Sequence, residues 1–421
     1  MNRVFLISFF LLLTGGICAQ QATTGTLTLK EAEQRFLERN LSLIAERYNI
    51  DMAQAQVLQA KLFENPVISL EQNVYNRLNG KYFDFGKEGE MVVGIEQVIR
   101  LAGQRNKQVK LEKINKEIAE YQFEEVMRTL RQELNEKFVQ VYFLSKSISI
   151  YEKEVNSLQE LLAGMKLQQE KGNISLMEMS RLESMLFSLK KEKNERENEL
   201  LTLRGELNVL LNLPGDTMVE LSLDEEVLKQ LDLSQLSFAD LKAMMNERPD
   251  LKIARSTVSA SRANLKLQKS MAFPEFSVNG SYDRAGNFIN NYFAIGVSLS
   301  VPIFNRNQGN VKAARFSIQQ AGAEQENAAN RADMELYTAY ASLDKAVQLY
   351  QSTNMELERN FEKLIAGVNE NFKKRNISLL EFIDYYDSYK ETCIQLHEIK
   401  KDVFLAMENL NATIGQTILN Y

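Results

Sequence analysis

Tryptophan is absent from the 421 residues, and proline occurs only five times. Few prolines leave room for long uninterrupted helices. Histidine occurs once, at His397. A metal centre needs several convergent ligands, so His397 reads as a surface or packing residue. The fifteen methionines are scattered, apart from Met177 with Met179 and Met244 with Met245, and read as core filling. No metal or cofactor site is expected. No long basic run occurs and the net charge is −6, which argues against nucleic acid as a partner. The chain lacks GxxxxGK[ST], HExxH and GxSxG, and one histidine gives a His-dependent mechanism little material. It is not read as an enzyme. Beyond the N-terminus no run reaches the ~18 apolar residues of a transmembrane helix.

Residues 1–19 read as a signal peptide. Arg3 supplies the positive start, Val4 to Leu13 the apolar stretch, and Ile-Cys-Ala the cleavage site after Ala19. The rival reading is lipidation of Cys18, although Ile17 is a poor residue to precede a lipidated cysteine. If Cys18 leaves with the leader, Cys393 is the remaining thiol. An exported chain would then have no internal disulfide and would rely on packing. Cys393 itself reads as a small buried residue on a helix.

What the sequence does contain is repetition. Lys171 to Met179 reads KGNISLMEM, and Lys374 to Phe382 reads KRNISLLEF. Around this echo lie matched landmarks. Glu38-Arg39-Asn40 is answered by Glu247-Arg248-Pro249, Glu64-Asn65-Pro66 by Ala272-Phe273-Pro274, and Val109-Lys110 by Val311-Lys312. The chain therefore reads as two copies of one plan. The first repeat is placed at 20–214, with strands at about 67–75 and 91–99 and a helical hairpin over 104–212. A linker spans 215–236. The second repeat is placed at 237–417, with strands at about 275–283 and 292–301 and a hairpin over 305–417. Residues 418–421 form a C-terminal tail.

Phe276, Val278, Gly280 and Tyr282 alternate with polar residues, and so do Phe293, Ile295, Val297, Leu299 and Val301. Each strand of about ten residues matches a tilted membrane crossing, and the polar connections at 76–90 and 285–291 read as exposed loops. An ordinary soluble hairpin with one buried face would alternate in the same way. Bacterial membrane barrels begin at about eight strands, so four can close one only if several chains share it; three chains would give twelve.

Proline is absent from Gln104 to Glu170, a span of roughly 100 Å as helix, and again from Gln308 to Lys374. Apolar residues recur at three and four, as in Val139, Phe143 and Ile150 with Ser147 on the same stripe, or Leu343, Val347 and Tyr350, with Met355 five residues further on. The nine-residue echo sits where each helix must turn back. Ser175 with Glu178, and Ser378 with Glu381, have capping-box spacing for the returning helix.

These features together resemble the outer-membrane efflux proteins of the TolC type over essentially the whole mature chain. The likeness is carried by Leu299-Ser300-Val301-Pro302-Ile303-Phe304-Asn305 at a strand-to-helix corner, by the doubled tips, and by the helix–strand–strand–helix order. Asn305-Arg306-Asn307-Gln308-Gly309-Asn310, with Gly103-Gln104-Arg105 in the first copy, is similar to the cobalt–zinc–cadmium and copper–silver cation efflux branch. The resemblance implies a mainly α fold with a small membrane β part. Three chains would form an α-helical tunnel continuous with a twelve-stranded β-barrel in the outer membrane, with the linker at the tunnel's equator. The partners implied are a periplasmic adaptor protein, an inner-membrane pump of the RND type and outer-membrane lipid. The function implied is a passive exit duct for heavy-metal cations. A duct for drugs or for type I protein secretion is the rival within this class, and a periplasmic coiled-coil scaffold the rival outside it.

The resemblance also places residues. Glu381 and Asp384, which share one helix face at i, i+3, would form acidic rings at a periplasmic constriction, with Glu178 in the first copy, where Arg181 replaces the second acid. The bland alternative is a cap and a solvated charge. Gly172, Asn173, Ile174 and Ser175, with Arg375, Asn376, Ile377 and Ser378, would dock the adaptor. Turn chemistry alone does not call for an exposed isoleucine at both tips. Pro302, Asn305, Arg306, Asn307 and Gly309 would shape the strand-to-helix corner.

Overall fold

The computed structural model describes residues 26–172, 174–285, 289–355 and 357–421. The expected leader at 1–19 with Cys18, the tip residue Asn173, and residues 286–288 of the second connection lie outside them. In chain order, β1 (Thr26–Thr28) leads into α1 (Leu29–Arg39) and α2 (Leu41–Lys61). Asn40 joins these helices to a distant one. Its Oδ1 accepts from the Leu43 N–H at 3.0 Å, capping α2, while Nδ2 donates to the Leu210 carbonyl at 2.9 Å. Next come β2 (Val67–Gln72), β3 (Tyr75–Asn76), β4 (Lys81–Tyr82) and β5 (Met91–Arg100). Two long helices follow, α3 (Gln104–Glu170) and α4 (Leu176–Leu210). The 67 residues of α3 make a rod about 100 Å long.

The second half runs β6 (Glu220–Ser222), α5 (Phe238–Met245), α6 (Pro249–Ser270), β7 (Glu275–Ala285), β8 (Asn290–Ser300), α7 (Gln308–Ser352), α8 (Leu357–Lys373) and α9 (Leu379–Ile414). Here the structure departs from the uninterrupted helix expected from Gln308 to Lys374. It stops at Ser352, and Thr353 turns extended at φ −91°, ψ 135°. Ser352 Oγ and Thr353 Oγ1 both donate to the Leu349 carbonyl, at 3.0 and 2.7 Å. A Ser-Thr-Asn run offers the backbone such local alternatives to the helical ladder, and here they end it.

The four longer strands form one antiparallel sheet in the order β2-β5-β7-β8. Register puts Ile68, Ile95, Gly280 and Ile295 in one row, and Leu70, Val93, Tyr282 and Phe293 in the next. Pleating sends both rows to the same face, which is apolar and exposed. The opposite face carries Ser69, Glu96, Ser277 and Ser298. Ser277 Oγ donates to Glu96 Oε1 at 2.6 Å and shares a hydrogen bond with Ser298 Oγ. β2 is shorter than expected. The Asn73 side chain folds back to accept from the Tyr75 N–H at 2.8 Å, and the strand ends at Gln72.

Helices α2, α3, α6 and α7 pack side by side in that order, α4 lies against α3, and α9 touches both α3 and α7. One core, near the middle of the helices, gathers Phe36, Leu134, Phe138, Leu207, Leu336 and Phe404. A second, towards the tips, is built from Leu158, Leu161, Leu182, Phe382 and Tyr386. The linker is bound to the first core. β6 pairs in parallel with β1, and Glu225 receives hydrogen bonds from Lys146 of α3 and Lys400 of α9. Burial alone would raise the Glu225 carboxyl; the two lysines outweigh it and hold it at about 2.

Candidate functional site

The two turns that carry the sequence echo come together. Gly172 adopts φ +75°, and Arg375 takes the same left-handed conformation at φ +60°. Arginine is strained there where glycine is not. Asn376 N–H closes the second turn on the Asn371 carbonyl at 2.8 Å. Both capping boxes form. Glu178 Oε2 accepts from Ser175 N–H at 3.0 Å and Glu381 Oε2 from Ser378 N–H at 2.7 Å. These backbone donors, and then the two serine hydroxyls, hold the Glu178 and Glu381 carboxyls below the usual carboxylate range. Asp384 lies exposed one turn beyond Glu381.

Between the turns is a cleft of about 570 Å³. Leu161 and Met165 lie along it, with Ile174 and Glu178 from one tip and Phe372, Arg375 and Ile377 from the other. The isoleucines are not the exposed pair expected. Both are half-buried, and Ile377 packs against the core of Phe382 and Tyr386. The apolar side chains that face solvent at the tips are Leu176, Met177 and Leu380. Each is the first or second residue of its returning helix, while Met179 and Leu379 of the same turns pack against the tip core. The spacing of the capping boxes placed these positions; nothing in residue type marked them as outward-facing.

The strand-to-helix corners share one anchor. Asn307, at φ +55°, starts α7 and donates through Nδ2 to the Gln268 carbonyl at 2.8 Å. In the first half Gly103, at φ +64°, starts α3, and Gln104 Nε2 donates to the Ser270 carbonyl at 3.0 Å. Both acceptors lie in the last turn of α6. Asn305 Oδ1 accepts from Asn307 N–H at 3.1 Å, and Arg306 Nε donates to the Ile303 carbonyl at 3.2 Å. Pro302 stands in the irregular stretch between β8 and α7. Gly309 has open space where a Cβ would stand, so packing does not require glycine there.

Sequence reasoning missed the buried acids. Glu154 of α3 is 2% exposed, and its Oε1 finds no hydrogen-bond partner among the described residues. Burial raises its carboxyl to about 8; Lys390 opposes the rise, while Asp387 and Glu192 add to it. Glu408 of α9 accepts from Asn135 Nδ2 and from the Tyr421 hydroxyl, both at 3.1 Å, and burial lifts it to about 7. A lone glutamate in a helical pattern looks solvated on paper, so no signal marked either one.

Cys393 and His397 are both buried on α9, with His397 6.3 Å from the Phe143 ring, as packing residues would be. Among the described residues no group of three or more His, Cys, Asp or Glu side chains could hold a metal ion. No described helix is long and apolar enough to cross a membrane. The sheet, by contrast, presents exposed apolar side chains, Ile68, Leu70, Ile95, Phe293 and Ile295, on one face.

Residues 33–213 and 241–366 match the outer membrane efflux protein family. The chain belongs to that family. Its members are channel proteins of the outer membrane rather than enzymes. One relative is the cobalt-zinc-cadmium resistance protein CzcC of Cupriavidus metallidurans, 20% identical over 93% of this chain and 88% of its own. The pyoverdine export outer membrane protein OpmQ of Pseudomonas aeruginosa is 24% identical over 29% of this chain and 26% of its own. Among solved structures, CusC superposes with a TM-score of 0.75 at 18% identity, covering 92% of both chains. The Campylobacter jejuni outer membrane channel CmeC gives 0.75 at 13% identity, over 93% of this chain and 87% of its own. The mainly helical, TolC-like fold of this efflux protein is thus shared with known channels.

Proposed function

We propose that this efflux protein is one third of a trimeric exit duct for heavy-metal cations. The observation that carries the reading is the sheet. It is apolar and exposed on one face, polar on the other, and its outer strands β2 and β8 pair with no further strand among the described residues. Three such sheets joined edge to edge would make a twelve-stranded barrel with a polar lumen. The helices below would line a tunnel. The two repeats, 20–214 and 237–417, would then give six hairpin tips around one axis, with the 215–236 linker belted at the equator.

In this reading the tips dock a periplasmic adaptor, which links the duct to an inner-membrane pump. The cleft between the tips supports this, with its apolar floor and the exposed Leu176, Met177 and Leu380 around it. Glu381 and Asp384, with Glu178, would ring the constriction and favour cations over anions. The duct itself is passive. The cargo assignment rests on CzcC, whose name records resistance to cobalt, zinc and cadmium.

The test is growth of a deletion strain, with and without complementation, across graded cobalt, zinc, cadmium, copper and silver. Raised sensitivity to one or more, restored by complementation, is the expected result. Unchanged growth would overturn the metal assignment and turn attention to organic cargo, the direction in which OpmQ points.

A further inference from the structure

Residues 73–90 join β2 to β5 at the end of the sheet remote from the helices. The sequence reads them as an exposed polar loop, but they fold. β3 and β4 pair, with the Tyr75 and Tyr82 rings 5.0 Å apart. Asp84 is buried at the centre. It accepts from Asn79 Nδ2 at 2.5 Å, Gly86 N–H at 2.9 Å and Asn76 Nδ2 at 3.1 Å. A Cβ at Gly89 would sit 1.6 Å from the Asp84 carbonyl oxygen, so only glycine fits there. Phe83 is held at φ +47°, a conformation that bulky residues rarely adopt.

Around this braced centre the outward side chains are large and apolar. Leu78, Tyr82 and Phe85 are 89%, 72% and 69% exposed. Arg77, Lys81 and Lys87 stand exposed among them, as do Glu88 and Glu90. Exposed rings and long cations in one braced loop suit a lipid headgroup boundary, where an aromatic body meets acyl chain and a cation meets phosphate.

The loop also has a direction. Tyr282 lies on the apolar face of the sheet, paired with Val93. Arg284, two residues on, shares that face. Its Nη1 donates to the Phe85 carbonyl at 2.8 Å and the Gly86 carbonyl at 3.0 Å, and its Nη2 lies 3.8 Å from Met91 Sδ. The Phe85–Gly86 backbone is therefore tied to a side chain on the apolar side of the sheet.

We infer that the 73–90 loop is a membrane anchor, its Phe85 corner seated at the acyl–headgroup boundary of the leaflet remote from the helices. This rests on the reading that the sheet spans the membrane. The absence of tryptophan makes the test direct, since one introduced indole is the sole such fluorophore. Phe85→Trp and, separately, Ile95→Trp on the apolar face are placed in vesicles of phosphatidylcholine with dibrominated acyl chains, alongside unbrominated controls. Both are expected to lose about half their emission or more to bromine, Ile95→Trp because it would stand among the acyl chains and Phe85→Trp because interfacial apolar side chains bury about 5–10 Å into the headgroup–acyl boundary. Quenching of Ile95→Trp alone, with Phe85→Trp open to aqueous iodide, overturns the anchor and leaves the barrel reading standing. A blue-shifted Phe85→Trp that bromine does not quench is covered by protein, from another copy or another partner, and overturns it too. If neither is quenched, the sheet is not in lipid and both readings fall.

Discussion

The hydroxyls of Ser157 on α3 and Tyr386 on α9 lie 2.7 Å apart, and Asn369 of α8 closes a triangle with them. Tyr386 donates to Asn369 Oδ1 at 2.8 Å, and Asn369 Nδ2 donates to Ser157 Oγ at 3.0 Å. The Tyr386 proton is thus committed to Asn369, so Ser157 is the donor to Tyr386. Three helices are joined by one ring of hydrogen bonds beside the buried Glu154.

Tyr386→Phe keeps the ring volume and removes two of the three bonds. It should cost about 1–2 kcal/mol, read as a lower melting temperature in detergent. It should also speed amide exchange in α8 more than in α7, because α8 is cut off from α7 by the break after Ser352 and packs mainly on α9. Equal exchange in the two helices would show that the triangle does not hold α8.

Glu154→Gln tests the buried charge. The folded carboxyl titrates at about 8 and the unfolded one near 4.3, so between these values the folded chain holds a proton that the unfolded chain has released. Stability from this group is therefore full below the unfolded value and is lost as pH rises towards the folded one. The variant should melt close to the parent at pH 5 and above it at pH 8.5, by about 2–4 kcal/mol of stability. The same offset at both pH values would mean that Glu154 does not titrate in this range. Glu408 titrates in both chains and cancels in the comparison.

At the tips, Leu176→Asp with Leu380→Asp changes exposed side chains and should leave melting within about 0.5 kcal/mol of the parent. Adaptor crosslinking should be lost. Ile377→Asp, by contrast, places a charge against the tip core and should destabilise the fold as well. Retained crosslinking in the double variant would make the tips turns and nothing more.

Glu381→Gln with Asp384→Asn removes the acid pair while keeping the capping geometry, since glutamine also serves in a capping box. Single-channel conductance should rise and block by divalent cations should weaken. Unchanged currents would leave Glu381 a cap and Asp384 a solvated charge.

Much of this architecture was legible in the sequence. Strict alternation marked β7 and β8, and the Ser-x-x-Glu spacing marked both returning helices, because each signal is local and periodic. The break after Ser352 does leave a trace, since the apolar step from Tyr350 to Met355 is five where three or four would keep one helix face, but it is a single irregular step, and the capture of the Leu349 carbonyl by the Ser352 and Thr353 hydroxyls is not visible in spacing. Glu225 escaped for the opposite reason. Its partners Lys146 and Lys400 lie 79 and 175 residues away, and only the packed helices bring them together. The tip isoleucines show a third limit: the motif located the turn but did not say which side chains face outward.

One consequence belongs to α6. Its last turn supplies the acceptors for both strand-to-helix corners, through Ser270 for Gln104 and Gln268 for Asn307. The corners lie far apart along the chain yet hang from carbonyls two residues apart. Twisting α6 about its axis would pull on both at once, like two spokes fixed to one hub. The C-terminal ends of β5 and β8 are thereby tied to a single helical turn.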